Sequence, residues 1–232
     1  FLLFPWRFQL WHHGQAKEKL RGWFREMFSN EVIFFDSGRS ALLASLQSAG
    51  VRDGDEILVQ AYTCVVVINA IRFAGAKPIF VDIGKDFSMS PLDAANKITG
   101  QTKAIIIQHT FGIPSDLINL IKFFRDQGII VIEDCAHTIG GCYQGRLLGT
   151  FGDMAMFSFG SDKAASCVRG GAILVNSPQF LTSLIKIEST LRSNSTLLIL
   201  RHLLRYPIFF FGKLLYNIGI GKILLWLDKN LS

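Results

Sequence analysis

Short apolar runs alternate with longer stretches of helical periodicity across the middle of the chain. Val32 to Phe35 predicts a first strand, and Ala41, Leu42, Leu43 and Leu46 then recur at helical spacing until Gly50 closes the helix. Residues 57–60 read as a strand, about 64–74 as a helix and 78–82 as a strand. A loop and helix follow, with Ser90 as N-cap ahead of Pro91. Residues 103–108 make a buried strand, Ser115 to Gln127 a helix, and 129–133 a strand ending at Asp134. A further apolar run spans Met154 to Phe159. Short apolar strands separated by longer helices predict βαβ units, hence an α/β fold with a mainly parallel sheet and helices on both faces. Chemistry in such sheets gathers beyond the carboxyl ends of the strands, where His109, Asp134 and the Ser37–Ser40 turn fall.

The two ends follow other patterns. Residues 1–30 form an aromatic, basic lead-in that turns helical at KEKLRGWFREMF and suits packing on the core, with a membrane-contacting helix as the alternative. Residues 31–176 make the α/β domain, and 177–232 an apolar, basic, helical tail. Within it, 196–227 is interrupted by Arg201, His202, Arg205, Lys213 and Lys222, and its longest uncharged runs, Tyr206 to Gly212 and Leu214 to Gly221, reach only seven and eight residues. A bilayer span needs about 20 apolar residues, so two or three helices packing on other parts of the protein are expected. Peripheral membrane contact through 196–227 is the alternative reading. No signal-peptide pattern is present.

Composition narrows the classes further. Half of the 232 residues are apolar and 18% are charged, which excludes a disordered chain. The net charge of +6 belongs to the ends: residues 31–182 carry twelve Lys/Arg against fourteen acids. A nucleic-acid groove would concentrate basic charge in the core, so none is expected. Cys64, Cys135, Cys142 and Cys167 lack paired metal spacing and sit in apolar segments, which predicts reduced core residues of a cytoplasmic protein and no metal site.

Two features carry candidate chemistry. The strand ending in Glu133 and Asp134 precedes Lys163 by about thirty residues, and Lys163 follows the 154–159 run. An acid at one strand end and a lysine beyond another are the pair that pyridoxal phosphate (PLP) needs: an amine for its aldehyde and a carboxylate for its ring nitrogen. Ser37, Gly38, Arg39 and Ser40 form a strand-to-helix turn whose free amides suit a phosphate, although many such turns bind nothing.

The stretches SGRSAL, AYTCVVVINAI, QHTFGIP, EDCAHTIGG and FSFGSDK…RGGA occur in one order and spacing. Together they resemble the DegT/DnrJ/EryC1/StrS aminotransferases, PLP enzymes of fold type I, across residues 31–176. The resemblance implies that Lys163 forms the Schiff base and that Asp134 pairs with the pyridine nitrogen. It places Ala136 against one face of the ring and His137 near the ring hydroxyl. Gly38, Arg39, Ser40 and Ser158 would hold the phosphate. A neighbouring cation, the ring nitrogen and partial burial would ease loss of the lysine proton. An aromatic residue usual in the family is replaced by Cys64, so Tyr62 or Cys64 would contact the free ring face. Arg39 stands where threonine is usual, and Gly160 where a polar residue is common. Gly170 and Gly171 would allow tight backbone passage.

The implied activity is transfer of an amino group from an amino acid such as glutamate to a keto sugar, nucleotide-linked sugars being the family's usual substrates, in a cytoplasmic homodimer. No match appears for the family's C-terminal domain, so a fragment is expected. The alternatives are a catalytically silent homologue acting in binding or at a membrane, and a PLP-dependent sugar dehydratase. In the dehydratase branch histidine commonly replaces the lysine, so Lys163 speaks against it. A dinucleotide-binding domain is disfavoured because the turn lacks G-x-G-x-x-G spacing.

Overall fold

Unbroken apolar runs leave a strand no solvent-facing side, so such a sheet must be covered on both faces. The computed structural model, which describes residues 15–114, 117–192 and 194–231, has that arrangement. Helix α1 (Ala16–Phe28) leads into β1 (Glu31–Phe35), α2 (Gly38–Ser48), β2 (Glu56–Gln60), α3 (Val65–Phe73) and β3 (Lys77–Val81). Then come α4 (Pro91–Asn96), β4 (Thr102–Gln108), α5 (Leu117–Asp126) and β5 (Ile130–Asp134). A small hairpin, β6 (Cys142–Tyr143) and β7 (Arg146–Leu147), precedes β8 (Met154–Ser158), β9 (Gly171–Val175) and α6 (Leu181–Thr190). The lead-in up to residue 14 and the expected helix start at Ser115 lie outside the described residues.

Seven strands form one sheet in the order β1-β9-β8-β5-β4-β2-β3. Strand β2 pairs in parallel with β3 and β4, β4 with β5, and β5 with β8. Strand β9 runs antiparallel between β8 and β1, a reversal that apolar periodicity does not reveal. One core joins Ile33, Ile57, Val59, Ile106, Ile132 and Ile173 to residues of α2, α3 and α6. Alternate residues point to the other face. There the Phe157 ring lies 5.6 Å from that of Phe24 and 5.4 Å from that of Phe28, both on α1. This compact unit runs from Arg21 to Leu191.

The reversal of β9 makes Gly171 necessary. It pairs with Phe35 on one side and Ser158 on the other. A Cβ there would run into the Ser37 carbonyl and the Gly38 amide, both backbone groups. Gly171→Ala is therefore expected to cost about 1–3 kcal/mol through overpacking, read as a lower urea midpoint with an unchanged slope.

The paired acids Glu133 and Asp134 leave β5 on opposite faces. Glu133 is fully buried. Its Oε1 accepts the amides of Phe151 and Gly152, each at 2.7 Å. Its Oε2 accepts the Gly149 amide at 2.9 Å and lies 3.0 Å from His109 Nε2. One carboxylate thus ties the loop before β8 to the end of β4.

Only Cys135 is buried, whereas Cys64, Cys142 and Cys167 are exposed, so the expectation of four core cysteines is corrected. The reason is position: Cys64 caps α3, Cys142 lies on the small hairpin, and Cys167 sits in the loop before β9.

A second compact unit holds the tail. Helix α7 (Thr196–Leu214), capped by the Ser195 hydroxyl, and α8 (Ile220–Leu231) are joined through a 3-10 turn at Tyr216–Ile218 and Gly219, whose φ is +85°. The two helices pack together, with Gly212 against Leu225 and Gly221. Among the described residues, no helix is long and apolar enough to cross a membrane.

Candidate active site

Strand order alone gathers the candidate residues. β5, β8 and β1 end at one edge of the sheet, and the reversed β9 begins there. The Ser37–Ser40 turn follows β1, Asp134 to His137 follow β5, and Ser158 ends β8. Both ends of the loop from Phe159 to Gly170 are therefore fixed at this edge. The Phe159 amide donates to the Gly170 carbonyl at 2.9 Å, and the Cys167 amide donates back to Phe159 at 3.1 Å. Lys163 sits inside that loop in a tight turn, its amide bonded to the Gly160 carbonyl at 3.0 Å.

The turn before α2 has the features of an anion cradle. Ser37 caps the helix, its hydroxyl accepting the Ser40 amide at 3.2 Å. The Gly38 and Arg39 amides have no partner among the described residues, nor has the Ser158 hydroxyl or the exposed Arg39 guanidinium. A Cβ at position 38 would lie 2.8 Å from both Cβ and Oγ of Ser158, so glycine keeps the space between turn and strand open. The Ser40 hydroxyl instead donates to Asp36 Oδ1 at 2.5 Å. Free helix-terminal amides, a free hydroxyl and a nearby cation match the needs of a phosphate.

Asp134 is 3% exposed, and its Oδ1 accepts the Ala136 amide at 3.0 Å. Burial pushes its carboxyl above the usual range, against the Ala136 hydrogen bond and the charges of His109, His137 and Lys163. A carboxyl raised in the folded state binds its proton more tightly there than in the unfolded chain. Its ionisation therefore subtracts stability as pH rises through the raised value. Asp134→Asn is expected to raise the Tm of the cofactor-free chain by a few degrees at neutral pH. The gain should vanish below about pH 4, where the acid is protonated in both states. The same variant should lose stabilisation by added PLP, measured by calorimetry with and without the cofactor.

Lys163 is largely buried, its side chain 18% exposed. Its Nζ lies 3.1 Å from Asp162 Oδ2, and that hydrogen bond holds the Asp162 carboxyl below its ordinary range. The expected partial burial is present, but the group paired with the lysine is an acid rather than a cation. Lys163 lines a small cavity with Ala136, His137, Ser158 and Phe159. A larger depression lined by Asp82, Ser88, Asp93 and Asn96 lies past the edge strand β3 and brings in no lysine.

Sequence reasoning missed an aromatic cluster at the switch point between β2 and β4. Tyr62 lies 5.4 Å from Phe87 and 6.2 Å from Phe111, and the Phe111 ring stacks on His137 with 5° between planes. Phe87 and Phe111 both have positive φ, 63° and 56°. The buried Gln60 pins their loops, donating to Thr110 Oγ1 at 2.7 Å and to the carbonyls of Tyr62 and Phe87. Cys64 is exposed at the start of α3. His109, Glu133 and Cys135 bring donor atoms within 4.8 Å of one another. Both Glu133 oxygens already accept backbone amides, and burial, then the Glu133 and Asp134 charges, push the Cys135 thiol well up. Glu133 and His109 thus form a hydrogen-bonded clamp.

Known proteins are similar to this chain. The GDP-perosamine synthase of Escherichia coli O157:H7 is 39% identical over 141 residues, covering 60% of this chain and 39% of that protein. The GDP-perosamine synthase of Vibrio cholerae is 31% identical over 179 residues, covering 73% and 49%. The chain thus spans half or less of the length of these curated relatives. A Streptococcus pneumoniae structure in its PLP form aligns at a TM-score of 0.65 and 27% identity, covering 71% of this chain and 49% of that one. The family model described as the DegT/DnrJ/EryC1/StrS aminotransferase family matches residues 7–196. That match covers most of the chain, and the chain belongs to the DegT/DnrJ/EryC1/StrS aminotransferase family.

Proposed function

We propose that this chain provides the cofactor-binding part of a PLP-dependent aminotransferase acting on a nucleotide-linked keto sugar. The observation that carries the reading is the meeting, at one sheet edge, of a lysine, a buried acid and an anion cradle. PLP supplies an aldehyde joined to an electron-withdrawing ring, through which an amino group passes from one substrate to another.

The chain's own residues divide the remaining work. The Lys163 amine would hold the cofactor covalently and then carry a proton on Nζ between donor and acceptor carbons. The Asp134 carboxylate would keep the ring nitrogen protonated, and that positive charge would offset the burial of the acid. The Gly38 and Arg39 amides, the Ser158 hydroxyl and the Arg39 guanidinium would bind the phosphate, with Ser40 bracing the turn through Asp36. Ala136 would lie beneath one ring face. His137, stacked on Phe111, would orient the ring hydroxyl side.

A GDP-linked sugar is the favoured acceptor because two relatives are GDP-perosamine synthases, and glutamate is the favoured donor. Assembly as a homodimer in the cytoplasm belongs to the same reading, as does division into 1–30, 31–176 and 177–232. The exposed Leu197, Phe210 and Trp226 of the tail support packing against another surface, for which a membrane face is the alternative.

The test is a half-reaction. Glutamate added to the PLP-treated protein is expected to abolish the visible band of the PLP form and to yield free pyridoxamine phosphate on denaturation. An unchanged spectrum with every amino acid tried would overturn the assignment.

A further inference from the structure

The loop that bears Lys163 and the turn that forms the anion cradle are distant in sequence, yet one ion pair joins them. Asp36 immediately precedes the turn, and Arg169 closes the loop just before Gly170 and Gly171. Arg169 Nη2 donates to Asp36 Oδ2 at 2.8 Å, and Nε donates to the Asp36 carbonyl at 3.3 Å. The other carboxylate oxygen, Oδ1, accepts the Ser40 hydroxyl at 2.5 Å and the Ser37 hydroxyl at 3.3 Å. A single carboxylate therefore binds the loop's last cation through one oxygen and the cradle's two serines through the other.

We propose that Asp36 and Arg169 are positioning residues that latch the Lys163 loop onto the cofactor-phosphate turn. This rests on the PLP reading above. The latch has a second consequence. A carboxylate beside an anion cradle repels a phosphate, and Arg169 neutralises that charge while directing the serine hydroxyls. The side chains of Arg169 and Asp36 are 40% and 33% exposed, so the pair is spared the full desolvation cost of a buried bridge. Both can be replaced without opening the core.

The two roles are separable. Amide hydrogen exchange of the full cofactor-free chain reports the latch, because the Lys163 and Cys167 amides are bonded inside the loop. Arg169→Gln and Asp36→Asn are each expected to speed exchange of these amides about fivefold. The double variant should do no more than either single change, since both break one contact. Arg169→Lys should recover part of the protection by keeping the charge. Titration with PLP reports the neutralisation: Arg169→Gln should raise Kd about tenfold by uncovering Asp36, and Asp36→Asn only about twofold because it removes the repelling charge as well.

Wild-type exchange rates in both single variants would overturn the latch. Equal effects of the two variants on Kd would overturn the neutralising role. Should the wild-type chain take up no PLP, the cofactor reading fails on its own, and the exchange result still decides the latch.

Discussion

Lys163→Ala is expected to abolish the covalent cofactor linkage and to slow amino transfer by at least about 10³-fold, since one side chain supplies both the link and the proton carrier. The lysine is held by a loop fixed at both ends and lines the same cavity as Ala136, His137 and Ser158. Among the described residues, no other lysine lines that cavity. Lys163→Arg should fail as completely, although it keeps the positive charge, because a guanidinium does not give up its proton near neutral pH. Single-turnover kinetics with glutamate and the visible spectrum check both variants. Stability should stay within about 0.5 kcal/mol, because the side chain belongs to a loop rather than to the core. A PLP-dependent band that survives in Lys163→Ala would contradict the assigned role.

Glu133→Ala should produce the largest loss of stability, about 3–5 kcal/mol. The substitution removes the acceptor for the amides of Gly149, Phe151 and Gly152 and the partner of His109. The Glu133 and His109 side chains are fully buried, so water has no direct access to replace the lost partner. Domains of this size have stabilities of about 5–15 kcal/mol, so the variant is expected to sit near its unfolding threshold at 37 °C. Glu133→Gln should cost less but still weaken the clamp, since its amide nitrogen donates where the clamp needs an acceptor. Urea unfolding monitored by near-UV circular dichroism measures both. A loss below about 1 kcal/mol for Glu133→Ala would show that the loop amides find other partners.

The sheet was legible because burial on both faces writes each central strand as a continuous apolar run. Strands β2, β4 and β5 and the Ser90 cap fall within a residue of their expected positions. The reversal of β9 was not legible, because Gly171 to Val175 is apolar whichever way it runs. Lys163 and Asp134 were found through motif order together with their place after strands. The Asp36–Arg169 pair is separated by 133 residues and has no periodic signature. Nor did anything in the sequence mark Phe87 and Phe111, whose left-handed backbones are imposed by tertiary contacts through Gln60 and Thr110. The cysteines misled for a related reason. Apolar neighbours suggested burial, while turns and loop ends carried three of the four to the surface.

The meeting of amine, acid and cradle on one ring is tested most directly by locating the cofactor chemically. The chain is treated with PLP, reduced with borohydride, digested and mapped by peptide mass. The account predicts one dominant labelled peptide, the one containing Lys163, and its loss when excess pyridoxamine phosphate competes. Label spread over other lysines, with Lys163 unmodified, would contradict it.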